Sequence, residues 1–157
     1  MAASCTGIAL EEKYDVFLSF RGADTRPGFT SHLYAALIRR NIKTFLDDQL
    51  IIGDELTPAL LSAIERSTIS VILLSEDYAS SKWCLEELEV ILKNKKERQQ
   101  IVIPVFYHVE PTHVRRQSGS FGAAFSKLEE RYKEKSDIWR TTLTEVANLS
   151  GWDSSIV

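Results

Sequence analysis

Apolar and polar positions along the 157-residue chain fall into two alternating rhythms. Tyr14-Asp15-Val16-Phe17-Leu18-Ser19-Phe20 is a dense aromatic and β-branched run closed by Arg21-Gly22. Lys43-Thr44-Phe45-Leu46 is a shorter one that ends in Asp47-Asp48, and Ile69 to Leu74 and Ile101 to Tyr107 are almost wholly apolar. Continuous apolar runs of this length suit strands buried on both faces, the mark of a parallel sheet. Between them, apolar residues recur at spacings of 3 and 4: Phe29, Leu33, Ala36 and Leu37; Leu56, Leu60, Ala63 and Ile64; Leu85, Leu88, Ile91 and Leu92. In the last of these, Glu86, Glu87, Glu89 and Lys93 fall on the other face, as in an amphipathic helix. Such alternation predicts right-handed crossovers and an α/β fold: a flavodoxin-like open parallel sheet of four to five strands with helices on both faces.

Two features qualify that pattern. Pro104 removes a ladder donor inside the fourth run, which predicts a bulge or an exposed side there. Residues 121–135 and 137–149 read as two helices, so any fifth strand is short. Residues 1–13 read as a disordered arm, 14–152 as one domain and 153–157 as a linker.

Composition narrows the function classes. Hydrophobic residues at 44% and aromatics at 10% exclude wholesale disorder. With 19 basic and 22 acidic residues the net charge is −3, which argues against nucleic acid as a partner. The cations between Lys93 and Arg98 read as a wet helix end. Two cysteines, Cys5 and Cys84, make no disulfide framework. No apolar run approaches the ~18 residues of a membrane span, and the N-terminus lacks the basic and apolar regions of a secretory leader. The expectation is a cytoplasmic protein, present in the nucleus as well or not.

In an open α/β sheet, ligands bind beyond the carboxyl ends of the strands. Here those are residues 19–26, 47–55, 75–83 and 107–116. Ser80 or Ser81 suits the N-cap of a helix beginning near Lys82. On that helix Trp83 and Glu87 stand at i and i+4, Cys84 and Glu87 at i and i+3, so all three share a face. A carboxylate beside an aromatic ring there could hold a ribose and stack a flat heterocycle. Spacing alone favours a plainer reading, a solvated helix face with an incidental Trp. The chain has no G-x-G-x-x-G and no G-x-x-x-x-G-K-[ST], so neither phosphate cradle is expected. His32, His108, His113 and Cys84 show no metal-ligand spacing, and Cys84 has no identifiable base.

With these residues in view, the chain resembles the Toll/interleukin-1 receptor (TIR) domain of plant intracellular nucleotide-binding leucine-rich-repeat immune receptors. The resemblance runs from Tyr14 to Trp152. It is carried by Tyr14 through Gly22, Asp24-Thr25-Arg26, Phe45 with Asp47-Asp48, Ser75 with Tyr78-Ala79, and Trp83-Cys84-Leu85-Glu86-Glu87-Leu88. Pro104 through Tyr107, Pro111 with Val114-Arg115, Gly119 through Gly122, Trp139-Arg140 and Leu149 through Trp152 complete it.

The resemblance implies an NAD⁺ nucleosidase that splits NAD⁺ or NADP⁺ into nicotinamide and ADP-ribose or a cyclised form. NAD⁺ is then a substrate; no cofactor and no metal are implied. Glu87 falls on the family's catalytic glutamate. Phe20, Arg21, Gly22, Asp47, Ser81, Trp83 and Cys84 are the implied substrate-binding set, with Trp83 or Phe20 stacking on a ring and Arg21 meeting the phosphates. Self-association is implied too, through a face formed by the first and last helices and centred on Ser31-His32. The loop with Ile51, Ile52 and Gly53 would pack on a neighbouring copy and close a composite site. Further domains of a longer receptor are expected partners. Ala23 stands where the family carries an acidic residue, Thr142 where it usually carries Ala, and Ile51-Ile52 where a basic residue is common, which weakens 2′-phosphate recognition. The alternative reading is a non-catalytic homotypic oligomerisation or adaptor module.

Overall fold

The computed structural model describes residues 13–46 and 56–154. Asp47, Ile51, Ile52 and Gly53 lie outside the described residues, so their predicted roles find no geometry here. In chain order the elements are β1 (Tyr14–Phe20), a helical turn (Gly22–Thr25) and a π-helical turn (Arg26–Thr30), α1 (Ser31–Arg39), β2 (Thr44–Leu46) and α2 (Pro58–Glu65). β3 (Ser67–Leu74), a 3-10 turn (Tyr78–Ser80), α3 (Lys82–Arg98), β4 (Ile101–Phe106) and α4 (Pro111–Arg116) follow. The chain closes with α5 (Gly119–Arg131), a 3-10 turn (Lys133–Lys135), α6 (Ser136–Ala147) and β5 (Trp152–Asp153).

The five strands are parallel, in the order β2-β1-β3-β4-β5. β1 leads to β2 on one side while β3 pairs with it on the other, so the strand order reverses at the β1/β3 boundary. In open α/β sheets ligands bind at such a switch point, outside the carboxyl ends of the strands.

Alternation along β1 divides the core into two layers. Val16, Leu18 and Phe20 join Leu73 beneath Leu33, Tyr34 and Leu37 of α1. Phe17, with Ile72 and Leu74 of β3, faces the opposite layer of Leu60 and Ile64 from α2, Leu85, Leu88 and Ile91 from α3, Phe121 and Phe125 from α5, and Trp139 and Leu143 from α6. The layers are unequal. α1 buries no residue completely, whereas Trp139, Phe121 and Phe125 on the other side are almost wholly enclosed.

The structure corrects two details. Register from Ile69↔Ile101 to Leu74↔Phe106 is unbroken, so Pro104 causes no bulge. Tyr107 N donates to Leu74 O at 2.9 Å and Ser154 N to Phe106 O at 2.9 Å. Even-numbered residues of β4 therefore turn their backbone groups toward β5, and the donor Pro104 lacks falls on that side, beyond the two-residue strand. The helix read through residue 135 ends instead at Arg131, where Tyr132 leaves the helical region at φ −128° and ψ 62°. The fifth strand is short, as the sequence suggests, and spans Trp152–Asp153.

Gly151 explains how the chain returns along β4. A Cβ built there would lie 2.0 Å from the Pro104 carbonyl oxygen. Gly151→Ala is expected to lower stability by about 1–3 kcal/mol, the usual range for overpacking, seen as an earlier urea midpoint. An unchanged midpoint would remove this close-approach account of β5.

Candidate functional site at the ends of β1 and β3

α3 starts where the sequence places it. Ser81 is its N-cap, and its Oγ accepts from Cys84 N at 3.2 Å. This cap fixes the helix over the carboxyl ends of β1 and β3. Tyr78, wholly buried in the preceding turn, shares a hydrogen bond of 2.7 Å with Ser19 Oγ at the end of β1. The Tyr78 hydroxyl also lies 3.2 Å from the Cys84 carbonyl as donor, and Cys84 Sγ donates to the Phe20 carbonyl at 3.5 Å. Four polar contacts thus tie strand, turn and helix together at one place.

Glu87 sits one turn further along α3 and is only 1% exposed. The solvated-face reading is therefore wrong. The helix leans its Trp83, Cys84 and Glu87 side inward as well as its leucine stripe, and all three are buried. A Glu so placed is informative, because glutamates almost never occupy fully buried positions unless paired. Its charge is felt nearby. Burial, and then the Glu87 carboxylate, push the Cys84 thiol up to about 12, against the opposing pull of the Ser81 hydrogen bond and Arg21. Burial likewise raises Tyr78 well above the ordinary phenol range, with Cys84 and Glu87 adding to it. Both groups are neutral at pH 7, which removes Cys84 as a thiolate nucleophile.

The loop after β1 supplies the cation. The Arg21 carbonyl accepts from Asp24 N at 3.1 Å and Thr25 N at 3.3 Å. Arg21 Nε is out of solvent and meets no hydrogen-bond partner among the described residues. Burial, then Asp24 and Glu76, raise the Asp77 carboxyl above its ordinary range, with Arg21 opposing.

The structure brings Phe20, Arg21, Gly22, Ser81, Trp83, Cys84 and Glu87 to the ends of β1 and β3, but gives them different surroundings. Phe20 is wholly buried and Trp83 is 7% exposed. Each packs in a core cluster, so neither offers an open ring face for stacking. Ser31 and His32 are exposed on α1, which covers the other face of the sheet from α3, so they are not part of this group. Sequence reasoning gave no role to Ser19, Asp24, Ser75 or Tyr78. A serine inside the otherwise apolar end of β1 was the legible signal. The groove of about 490 Å³ between α3 and α6, lined by Glu89, Leu92, Lys96, Ile138 and Glu145 among others, involves none of the site residues. Among the described residues no cluster of His, Cys, Asp or Glu could hold a metal ion, and no helix is long and apolar enough to cross a membrane.

A doubly wound parallel sheet with a buried glutamate and a partly buried arginine near its switch point defines a small α/β domain. The chain belongs to the TIR family: the TIR domain model matches residues 13–157. It is 56% identical over 151 residues to the disease resistance protein RPV1 of Vitis rotundifolia, covering 96% of this chain and 11% of that protein. It is also 50% identical over 142 residues to the TMV resistance protein N of Nicotiana glutinosa, covering 88% of this chain and 12% of that one. The chain thus spans about a tenth of the length of these relatives. Among solved structures it matches a TIR domain of the activated Roq1 resistosome with a TM-score of 0.83 and 48% identity, over 90% of this chain and 87% of that chain. The RPS4 and RRS1 TIR heterodimer, at 21% identity and a TM-score of 0.50, shares the fold.

The Cys84 environment has a pH consequence. Above the ordinary thiol pKa of about 8.5 the unfolded chain loses a proton that the folded chain keeps until about 12. The unfolded state then binds fewer protons, so stability falls as pH rises through this window. Urea midpoints from pH 7.5 to 10.5 should decline more steeply in the wild type than in Cys84→Ala. Parallel slopes would show that the thiol is not held neutral.

Proposed function

We propose that this domain is an immune-signalling module that self-associates and cleaves NAD⁺, or NADP⁺, at the nicotinamide N-glycosidic bond. It releases nicotinamide and ADP-ribose or a cyclised ADP-ribose, and acts in the cytoplasm as part of a longer receptor. The observation that carries this reading is the buried Glu87 carboxylate near the β1/β3 switch point, with Cys84 in the electrostatic reach of both Glu87 and Arg21.

Nicotinamide leaves a cationic pyridinium and becomes neutral, so its departure needs no general acid, in contrast to ordinary glycosidases with their paired carboxylates. Positive charge instead develops on the ribose. A carboxylate already desolvated and fixed by its helix stabilises that charge more in the transition state than in the ground state. Arg21, with a shielded guanidinium nitrogen still to be satisfied, suits the pyrophosphate. Ser81 keeps a hydroxyl proton to donate while its oxygen caps α3. Phe20, in the α1 layer, and Trp83, in the α3 layer, act as core packing, not as stacking surfaces.

Self-association is drawn from α1. Ser31 and His32 are exposed on its first turn, and Ile38, two turns on, is 43% exposed. A helix that buries nothing completely and shows an isoleucine outward suits a homotypic contact. That exposed α1 face serves equally a second reading, an oligomerising module without turnover. Nicotinamide release separates the two.

Glu87→Ala and Glu87→Gln should reduce nicotinamide release by at least 10²- to 10³-fold, on the order of the loss for one preorganised electrostatic group, with the fold retained. Turnover of Glu87→Ala near that of the wild type would end the mechanism. Ser31→Ala combined with His32→Ala should weaken self-association in light scattering across protein concentration and lower turnover at a given concentration. Exposed substitutions of this kind move stability by only about 0.5 kcal/mol, so a large drop in melting temperature would point to a structural role instead.

A further inference from the structure

The carboxylate of Asp24 bridges two loops far apart in sequence. Its Oδ2 accepts from Ser75 Oγ at 2.5 Å and from Asp77 N at 2.9 Å, across 51 and 53 residues. Ser75 is buried, so that bond is shielded from water. On its own loop, Asp24 N donates to the Arg21 carbonyl at 3.1 Å. One residue therefore holds the backbone of Arg21 with its main chain and the turn after β3 with its side chain. From there the contacts run on to α3: Tyr78 N donates to Ser75 O at 3.1 Å and Ser81 N to Tyr78 O at 3.3 Å, and Ser81 caps the helix that carries Glu87.

We propose that Asp24 is a positioning residue for the site: its carboxylate staples the Arg21–Gly22 loop to the turn that leads into α3, setting where Arg21 sits relative to Glu87. The proposal rests on the NAD⁺-cleaving reading above. A carboxylate close to the arginine meant for a pyrophosphate repels that anion, so its presence needs a compensating task, and its hydrogen bonds from Ser75 Oγ and Asp77 N are geometric. The staple acts through Arg21, so its loss shows in substrate binding more than in the chemical step. Asparagine supplies an oxygen able to accept both bonds, whereas alanine supplies none.

The test is nicotinamide release over a range of NAD⁺ concentrations for the wild type, Glu87→Ala, Asp24→Ala, Asp24→Asn and Ser75→Ala, with a melting temperature for each. Asp24→Ala is expected to raise KM about tenfold, the size of one or two lost hydrogen bonds, with kcat within about twofold of the wild type. Asp24→Asn should restore KM, and Ser75→Ala, which removes one of the two bonds, should give an intermediate rise. If Asp24→Ala fails to fold, the Ser75→Ala arm decides. A wild-type KM in Asp24→Ala, or in Ser75→Ala where that arm decides, overturns the proposal, leaving Asp24 as a fold brace that alters only stability. A KM as impaired in Asp24→Asn as in Asp24→Ala also overturns it, because charge and not hydrogen-bond acceptance would then matter. Absence of nicotinamide release by the wild type defeats the functional reading itself and the proposal with it, before the Asp24 arms are compared.

Discussion

Burial of the Glu87 carboxylate is the constraint on which the rest of the site depends. Taking a carboxylate out of water is costly unless its surroundings compensate, and here those surroundings also raise the Tyr78 and Cys84 pKa values. Beside it Tyr78 and Cys84 stay neutral, their protons given to Ser19 or to backbone carbonyls. Were Cys84 an easily ionised thiol, two anions would share one dry pocket. On the proposed NAD⁺-cleaving reading, the desolvation that makes Glu87 expensive is also what would make it act, since a fixed charge in a low-dielectric site meets a developing cation with little screening.

That arrangement needs α3 to be placed accurately, and the turn before it does the placing. Ser81 caps the helix, Tyr78 reaches across to β1, and Asp24 takes hold of Ser75 and Asp77 from the neighbouring loop. Each bond is modest alone, about 1 kcal/mol net. Their joint effect is geometric: they span β1, the loop after it, the turn after β3 and the start of α3, and a shift of any one moves the rest. Loops at the carboxyl ends of parallel strands are where function is commonly built, because a rigid sheet supplies the reference frame.

The sheet and its helices were legible because their signals are periodic. Doubly buried strands read as apolar runs, and the α3 leucine stripe recurs at helical spacing. Ser81 was legible because capping is local chemistry. The inward turn of Glu87 was not. Two faces of α3 are covered, one by the hydrophobic layer and one by the ends of β1 and β3, and a helical wheel reports only the first. The absence of a bulge at Pro104 was equally hidden. Which neighbour a strand residue faces depends on register, and β5 is too short to leave a pattern. Asp24 is legible as a motif residue but its bridging role is not, because its partners lie more than fifty residues away and long-range polar contacts leave no periodic trace.

The two layers of the core raise the question of how association on one side of the sheet could influence chemistry on the other. Ser31 and His32 ride on α1, over Val16, Leu18 and Phe20; Glu87 rides on α3, over the face that carries Phe17. β1 is common to both. Phe20 is the residue where they meet: its side chain packs in the α1 layer while its carbonyl accepts the Cys84 thiol of α3. The end of β1, one residue before Arg21, is therefore the element that α1 and α3 both touch. For assembly to raise turnover it must favour one arrangement of this junction over another, since a contact that binds every arrangement equally shifts none. The light packing of α1, against the full burial of α3, makes α1 the more movable side of that junction.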